Sequence, residues 1–253
     1  MPMLIEERRG ATAILTLHQP ARKNALAMQM RHEMIDAIER IEADPSVRAV
    51  VITGSDGTFC SGGDISGMNA PDFAAGRERF RITHRLVRLM IESAKPFVAA
   101  VEGWAAGAGM GVAACCDTVV AGAEAQFVSP FNTLGLVPDF ALLHTLPRRV
   151  GEGPARQIFL RGQSFDAAHA LRIGLVDEVV DAGAALERAL AIAAPYADMA
   201  PVPLAMVKNW MSQGLAAALD WERNAQAALF LTADHTEGRD AFLARRKPVF
   251  TGR

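Results

Sequence analysis

The segment that most constrains this chain runs from Pro96 to Thr118. Its first six residues, Pro96 to Val101 (PFVAAV), are apolar and of a length that suits a buried strand. Glu102 to Thr118 follows as EGWAAGAGMGVAACCDT, in which Gly107, Gly109 and Gly111 alternate with Ala108 and Met110. A strand feeding a glycine-rich turn that opens a helix leaves several backbone N–H groups without partners. Small side chains let a ligand approach those donors closely, so the segment predicts a ligand carrying an oxyanion or a phosphate. A second glycine cluster, Phe59 to Asp64 (FCSGGD), also follows an apolar strand, Ala49 to Thr53. Two such turns can aim two N–H groups at one oxygen, as an oxyanion hole requires. Taken alone, each is equally a tight βα turn with glycines for packing.

The rest of the chain alternates around these turns. Met3 to Glu7 and Ala11 to Leu17 flank Arg8-Arg9-Gly10 and predict a β-hairpin. His18 to Ala27 is a loop with adjacent cations, Arg22 and Lys23. Met30, Met34, Ile38 and Ile41 recur at helical spacing within Met28 to Glu42, and Pro71 to Ser93 carries Phe80, Val87, Leu89, Met90 and Ile91 as a second stripe. Strands are expected at Val47 to Thr53, Pro96 to Val101 and Thr118 to Ala121. This order predicts an α/β core with parallel strands. Gln126 to Asp139 reads as a Pro- and Gly-interrupted loop, with a helix starting near Asp139 as its N-cap or first turn. A short helix is expected over Phe165 to Arg172 and a strand over Leu175 to Val180. From Ala182 the chain reads as helix only, ending in Leu215 to Thr232 and Glu237 to Arg246. The break near Ala200-Pro201 separates a core (residues 1–199) from a C-terminal helical region (residues 200–253). No repeat of fixed period is evident.

Composition narrows the function. Lys and Arg total 26 against 28 Asp and Glu, a net charge of −2, so no overall field favours nucleic acid or an anionic membrane. Three cysteines, two of them adjacent, suggest no disulfide framework and lack zinc-site spacing. The N-terminal residues hold no apolar run of signal-peptide length, and no run of about 18 apolar residues occurs. The expectation is a soluble, cytoplasmic protein with no metal.

Four segments together resemble the crotonase superfamily of enoyl-CoA hydratases and isomerases. They are Arg22-Lys23-Asn24-Ala25-Leu26, Phe59 to Ile65, Gly103 to Asp117, and Leu134 to Pro138 with Leu146 to Gly151; Gln163 to Val180 adds a fifth. The resemblance implies a superhelix of ββα repeats with a C-terminal helical region and a homotrimer or hexamer. It also implies an acyl-CoA thioester as substrate, with no separate cofactor. Matched by position, the donors to the thioester oxygen are the N–H groups of Gly63 and Ala108. CoA contacts fall to Arg22, Lys23, Asn24, Ala25, Leu26, Ser61, Asp64 and Ile65, and the acyl pocket to Phe131, Leu136 and Phe140.

The hydratases of the superfamily use two glutamates, and the matching positions here are Gly111 and Phe131. Neither residue can move a proton, although adding water needs a base and an acid. One carboxylate remains in a suitable place: Asp139 in LGLVPD, eight residues past Phe131, where some of the isomerases carry their acid/base. Its apolar neighbours Leu136, Val137, Phe140 and Leu142 favour a raised pKa. Asp139 is both a helix-cap candidate and a proton carrier, and the roles are compatible. Asp64 and Asp117 read as structural. His144 reads as a surface or supporting residue, Cys60 as unactivated, and Phe230 and Phe242 as core, with Lys247 a solvated basic end. The pattern thus implies a double-bond-shifting enoyl-CoA isomerase. The alternatives are a hydratase with an atypical acid/base, thioester hydrolysis, and a non-catalytic acyl-CoA- or RNA-binding relative. A nicotinamide-dependent dehydrogenase is disfavoured because the third glycine, Gly111, falls one place early.

Overall fold

The computed structural model describes residues 2–253. β1 (Leu4–Arg9) turns at Gly10 into β2 (Thr12–Leu17), and the pair runs antiparallel with Leu4 opposite Leu17. There follow α1 (Met28–Ala43), β3 (Ala49–Gly54), α2 (Phe73–Ile91), β4 (Phe97–Val101), β5 (Trp104–Ala106), α3 (Ala108–Cys115), β6 (Thr118–Gly122) and β7 (Gln126–Val128). The chain continues through α4 (Leu142–Val150), α5 (Glu152–Arg161), β8 (Phe165–Asp166), α6 (Ala167–Ile173), β9 (Glu178–Val180) and α7 (Ala185–Ala193). It ends in α8 (Pro201–Met211), α9 (Leu215–Leu229) and α10 (Ala233–Leu243).

One six-stranded sheet has the order β1-β2-β3-β4-β6-β9, parallel from β2 onward. Its central strands are apolar on both faces because both faces are covered. Val50, Ile52, Phe97, Ala99, Val101 and Val119 join the large core shared with α1, α2 and α3. Ala49, Val51, Val98, Ala100 and Val120 pack instead against Ala185, Ala189 and Ala193 of α7. A second sheet, β5-β7-β8, receives the chain after β4 and again after β6. Only Glu102 and Gly103 separate β4 from β5. Gly103 has φ +55°, and a Cβ there would lie 2.4 Å from the Gly57 carbonyl oxygen, so this corner requires glycine. The preceding pass repeats the step in reduced form, with Cys60 after β3 bridging Ala105 of β5. These are the ββα units that the sequence shows at no fixed period.

Local pattern misses the elements that depend on distant partners. Gln126–Val128, expected as loop, is strand because it pairs with β5. Phe165–Asp166, expected as helix, pairs with β7 before α6 begins. Both strands are too short to show a period of their own. Phe230 is buried, its ring 5.8 Å from Phe80 and 5.0 Å from His235. Phe242, expected as core, is exposed because it lies on the outer side of the last helix. No single helix among the described residues is long and apolar enough to cross a membrane.

The loop before α1 is pinned to the end of β3 by Asn24, whose side chain is fully buried. Its Nδ2 donates to the carbonyls of Ser55 (2.9 Å) and Thr58 (2.6 Å), and its Oδ1 accepts from the Gln19 N–H (2.9 Å). Its φ of +56° is one that asparagine tolerates better than most residues. Asn24→Ala strands these groups, and the expected loss of unfolding free energy is about 2–3 kcal/mol, measurable by urea denaturation.

Candidate active site

The two glycine turns are docked on each other. The Cys60 N–H donates to the Trp104 carbonyl (2.8 Å), and the Ala106 N–H donates back to the Cys60 carbonyl (2.9 Å). At Gly109 a Cβ would come within 2.5 Å of the Cys60 carbonyl oxygen, and at Gly62 within 2.9 Å of the Ala106 oxygen and 3.8 Å of the Ala108 nitrogen. The glycines therefore do serve packing, and by doing so they bring the turns together. Ala108 is the first residue of α3, so its N–H has no partner within the helix. Among the described residues neither it nor the Gly63 N–H meets an acceptor. Two free donors thus leave adjacent turns.

Asp139 lies in the loop before α4 and is 4% exposed, with Oδ1 unpartnered. It is not a helix cap: α4 starts at Leu142, Ala141 holds the cap position, and no side chain caps it. Burial raises the Asp139 pKa to about 7, and Glu222 adds to the rise, while Arg31, His84 and Arg79 oppose it. Arg31 is fully buried on α1, donating from Nε to the Leu26 carbonyl (3.2 Å) and from Nη1 to the Thr83 hydroxyl, with its guanidinium 5.1 Å from the Phe140 ring centre. Burial lowers its pKa to about 10, so it stays cationic. After Asp139, Phe140 and Ala141 take φ values of +54° and +55°, in the left-handed region where a bulky residue is rare.

The positions of the missing glutamates are filled. A Cβ on Gly111 would sit 2.6 Å from the Phe140 Cβ and 3.4 Å from the Asp139 carbonyl oxygen. Phe131 is buried in a short turn, its ring edge 3.8 Å from where a Gly107 Cβ would be. Leu136 is buried beside it, its N–H donating to the Phe131 carbonyl (3.0 Å). Phe140 backs the loop, wedged between Gly111 and Arg31.

At the other end of the site, Arg22 is exposed and donates to Asp64 (2.6 Å) and the Ser66 hydroxyl (3.0 Å). Asp64 also accepts from the Ser66 N–H (3.1 Å), which fixes the loop behind Gly63 and opens a short turn at Ile65. Lys23 is exposed. Asn24, Ala25 and Leu26 are buried, and Ser61 donates its hydroxyl to the Arg22 carbonyl (2.9 Å). Cys60 is buried with its thiol pushed up to about 12. His144, expected as a surface or supporting residue, is buried beside Arg148, and both effects lower its pKa to about 4. Asp117 accepts from the Phe97 N–H (2.7 Å) and pairs with Lys208. No metal-holding cluster of His, Cys, Asp or Glu occurs among the described residues. A cavity of about 670 Å³ opens between α1, α2 and α9, with His84 in its wall, but Gly63, Ala108 and Asp139 do not line it.

The family model for enoyl-CoA hydratase/isomerase matches residues 7–253. The chain belongs to this family. It is 37% identical over 257 residues to the 2,3-dehydroadipyl-CoA hydratase of Escherichia coli K12, with 100% of each chain covered. It is 33% identical to the 1,2-epoxyphenylacetyl-CoA isomerase of the same organism, again over 100% of both. Among solved structures, an enoyl-CoA hydratase from Mycobacterium avium subsp. paratuberculosis K-10 superposes with a TM-score of 0.89 at 31% identity, covering 98% of both chains. The crotonase fold expected from the motifs is thereby established.

Sequence reading missed Arg31, Arg79, His84, Glu222 and Gln226 of this enoyl-CoA hydratase/isomerase relative. A signal was present. His84 follows Phe80 by four and precedes Val87 by three on the apolar stripe of α2, and Glu222 and Gln226 continue Leu215 and Leu219 on α9. Polar residues on an otherwise buried stripe mark groups with a specific partner. Two predictions follow from this geometry. Gly111→Glu should displace Phe140 and lower the melting temperature without creating hydratase activity, at a stability loss of roughly 2 kcal/mol or more. The folded pKa of Asp139 lies above its unfolded value, so the folded state binds the extra proton and its stability falls as pH rises from about 4 to about 7. Asp139→Asn, which has no charge to bury, should therefore stabilise at pH 8 by on the order of 2 kcal/mol and by much less at pH 5, as read by thermal denaturation.

Proposed function

We propose that this family member is an enoyl-CoA isomerase in which Asp139 carries one proton between two carbons of the acyl chain. The observation that carries the reading is a buried carboxyl with an unpartnered oxygen and a pKa near 7, in the loop that fills the Gly111 position, whereas the other buried carboxyl, Glu222, is engaged by Ala141 and His84. In a 3-enoyl thioester the C2 proton is only modestly acidic, and its removal places negative charge on the thioester oxygen. The N–H groups of Gly63 and Ala108 would hold that oxygen, each donor being worth about 3 kcal/mol of barrier. The Asp139 carboxylate takes the C2 proton, stays beside the enolate while the double bond moves into conjugation, and returns the proton at C4. One proton moves and no electrons leave the substrate, so the reaction calls for no redox group. CoA enters as part of the substrate, with Arg22 and Lys23 near its phosphates and Phe131 and Leu136 against the acyl chain. A homotrimer or hexamer is the proposed assembly, supported by the exposed apolar residues Val202, Met206, Val207 and Trp210 of α8.

A second reading, hydration with an atypical acid, is favoured by the hydratase name of the 37% identical relative. It would need a second carboxyl on the substrate, and Glu222, the buried carboxyl nearest in charge to Asp139, is engaged by Ala141 and His84. An assay on a 3-enoyl-CoA and a 2-enoyl-CoA separates the readings. The expected result is conversion of the 3-enoyl to the 2-enoyl thioester, with kcat reduced at least about 1,000-fold in Asp139→Asn. Because the base must be ionised, kcat should rise with pH through about 7 and level off above it. Rapid hydration of the 2-enoyl substrate by both proteins would sink the isomerase reading.

A further inference from the structure

The backbone on both sides of Asp139 is held from one face of α9. Gln226 donates from Nε2 to the Val137 carbonyl (2.7 Å), two residues before Asp139. One turn earlier on the helix, Glu222 accepts the Ala141 N–H on Oε2 (3.0 Å), two residues after it. The other oxygen of Glu222 meets His84 Nε2 of α2 at 2.9 Å, so the carboxyl cannot swing away from the loop. Between these anchors Phe140 and Ala141 keep their left-handed backbone, which for such residues is sustained only by surrounding structure. Cys115 adds a weak contact from its Sγ to the Phe140 carbonyl (3.5 Å). We infer that Glu222 is a positioning residue: by binding the Ala141 amide and His84 it splints the left-handed turn that aims the Asp139 carboxyl into the site. The inference rests on the isomerase reading for its kinetic consequence, but its structural content stands apart from it.

The charges facing this pair come from every packed element. Arg31 of α1, His84 and Arg79 of α2 and Glu222 of α9 act on Asp139. His84 also feels Arg88 of its own helix and Asp220 and Arg223 of α9, and Glu222 faces buried Cys115 of α3. Burial pushes Glu222 up to about 8 and His84 down to about 4, so near neutral pH their contact joins a largely protonated carboxyl to a neutral imidazole. Glutamine copies that state: its carbonyl can accept from Ala141 and its amide can donate to His84. Ionisation of Glu222 can only oppose that of Asp139, since both are acids in one buried pocket.

The test compares Glu222→Ala and Glu222→Gln with the unmodified enzyme in three readouts. These are hydrogen exchange at the Ala141 amide, kcat and KM on a 3-enoyl-CoA, and the pH profile of kcat. In Glu222→Ala the Ala141 amide is expected to exchange at least about tenfold faster. The same variant should lose about 10- to 100-fold in kcat, with KM changed by less than about threefold. Glu222→Gln should restore amide protection and recover most of the lost kcat. Its acid limb should stay near pH 7, because glutamine copies the protonated carboxyl that already prevails where Asp139 ionises. This rescue by the conservative variant is one that general loosening of the packing does not give. Should the alanine variant not fold, Glu222→Met, similar in length but unable to accept the bond, replaces it. Unchanged Ala141 exchange and kcat in the alanine variant overturn the inference, as does a glutamine variant as impaired as alanine. If the unmodified enzyme does not isomerise the substrate, the proposed function falls by itself, and faster or unchanged Ala141 exchange still decides the splint.

Discussion

The docking of the Cys60 segment onto β5 is the contact on which the rest of the site depends. Two backbone hydrogen bonds and a missing Cβ at Gly62 and Gly109 bring one turn against the other. Without that approach the N–H groups of Gly63 and Ala108 would be two unrelated turn amides. The sheets exist on either side of this contact because the chain leaves the first sheet at Gly103 and enters the second at once. The same step, repeated after β6, brings Phe131 and then Asp139 back toward the glycine turns.

The second constraint is electrostatic. A carboxyl placed in an apolar wall resists ionisation, and here burial outweighs the attraction of two arginines, leaving Asp139 near neutrality in pKa. That setting suits a group that must both take and return a proton. It also costs stability, because the folded state must bury a charge whenever Asp139 is ionised. The left-handed Phe140 and Ala141 add strain of about 1–3 kcal/mol each. The helical tail offsets part of this through the bonds from Glu222 and Gln226. The tail is therefore joined by hydrogen bonds to the loop that carries Asp139 as well as packed on the core.

Much of this was legible in the chain. Apolar runs at Ala49 to Thr53 and Pro96 to Val101 became buried parallel strands, and the stripe of Met30, Met34, Ile38 and Ile41 became the buried face of α1. The family motifs single out Gly63, Ala108 and Asp139, and the structure leaves the first two amides without acceptors among the described residues and buries the third. Of the two roles the sequence allows Asp139, the helix cap is the one the structure removes, although Pro138 followed by an acid and an apolar run is the ordinary signature of a helix start. The helix in fact begins at Leu142, after two left-handed residues that no local rule anticipates.

What the sequence determined by itself is what depends on neighbours along the chain: strand and helix type, the need for glycine at close turns, and the loss of carboxylates at Gly111 and Phe131. Tertiary structure alone decided which distant groups share a space. It filled the Gly111 position with Phe140, turned Asn24 inward, and set Glu222 and His84, 138 residues apart, against one loop. The physical reason is that burial and Coulomb interactions follow distance in space. The pKa of Asp139 therefore belongs to the fold, although the residue itself could be found in the sequence.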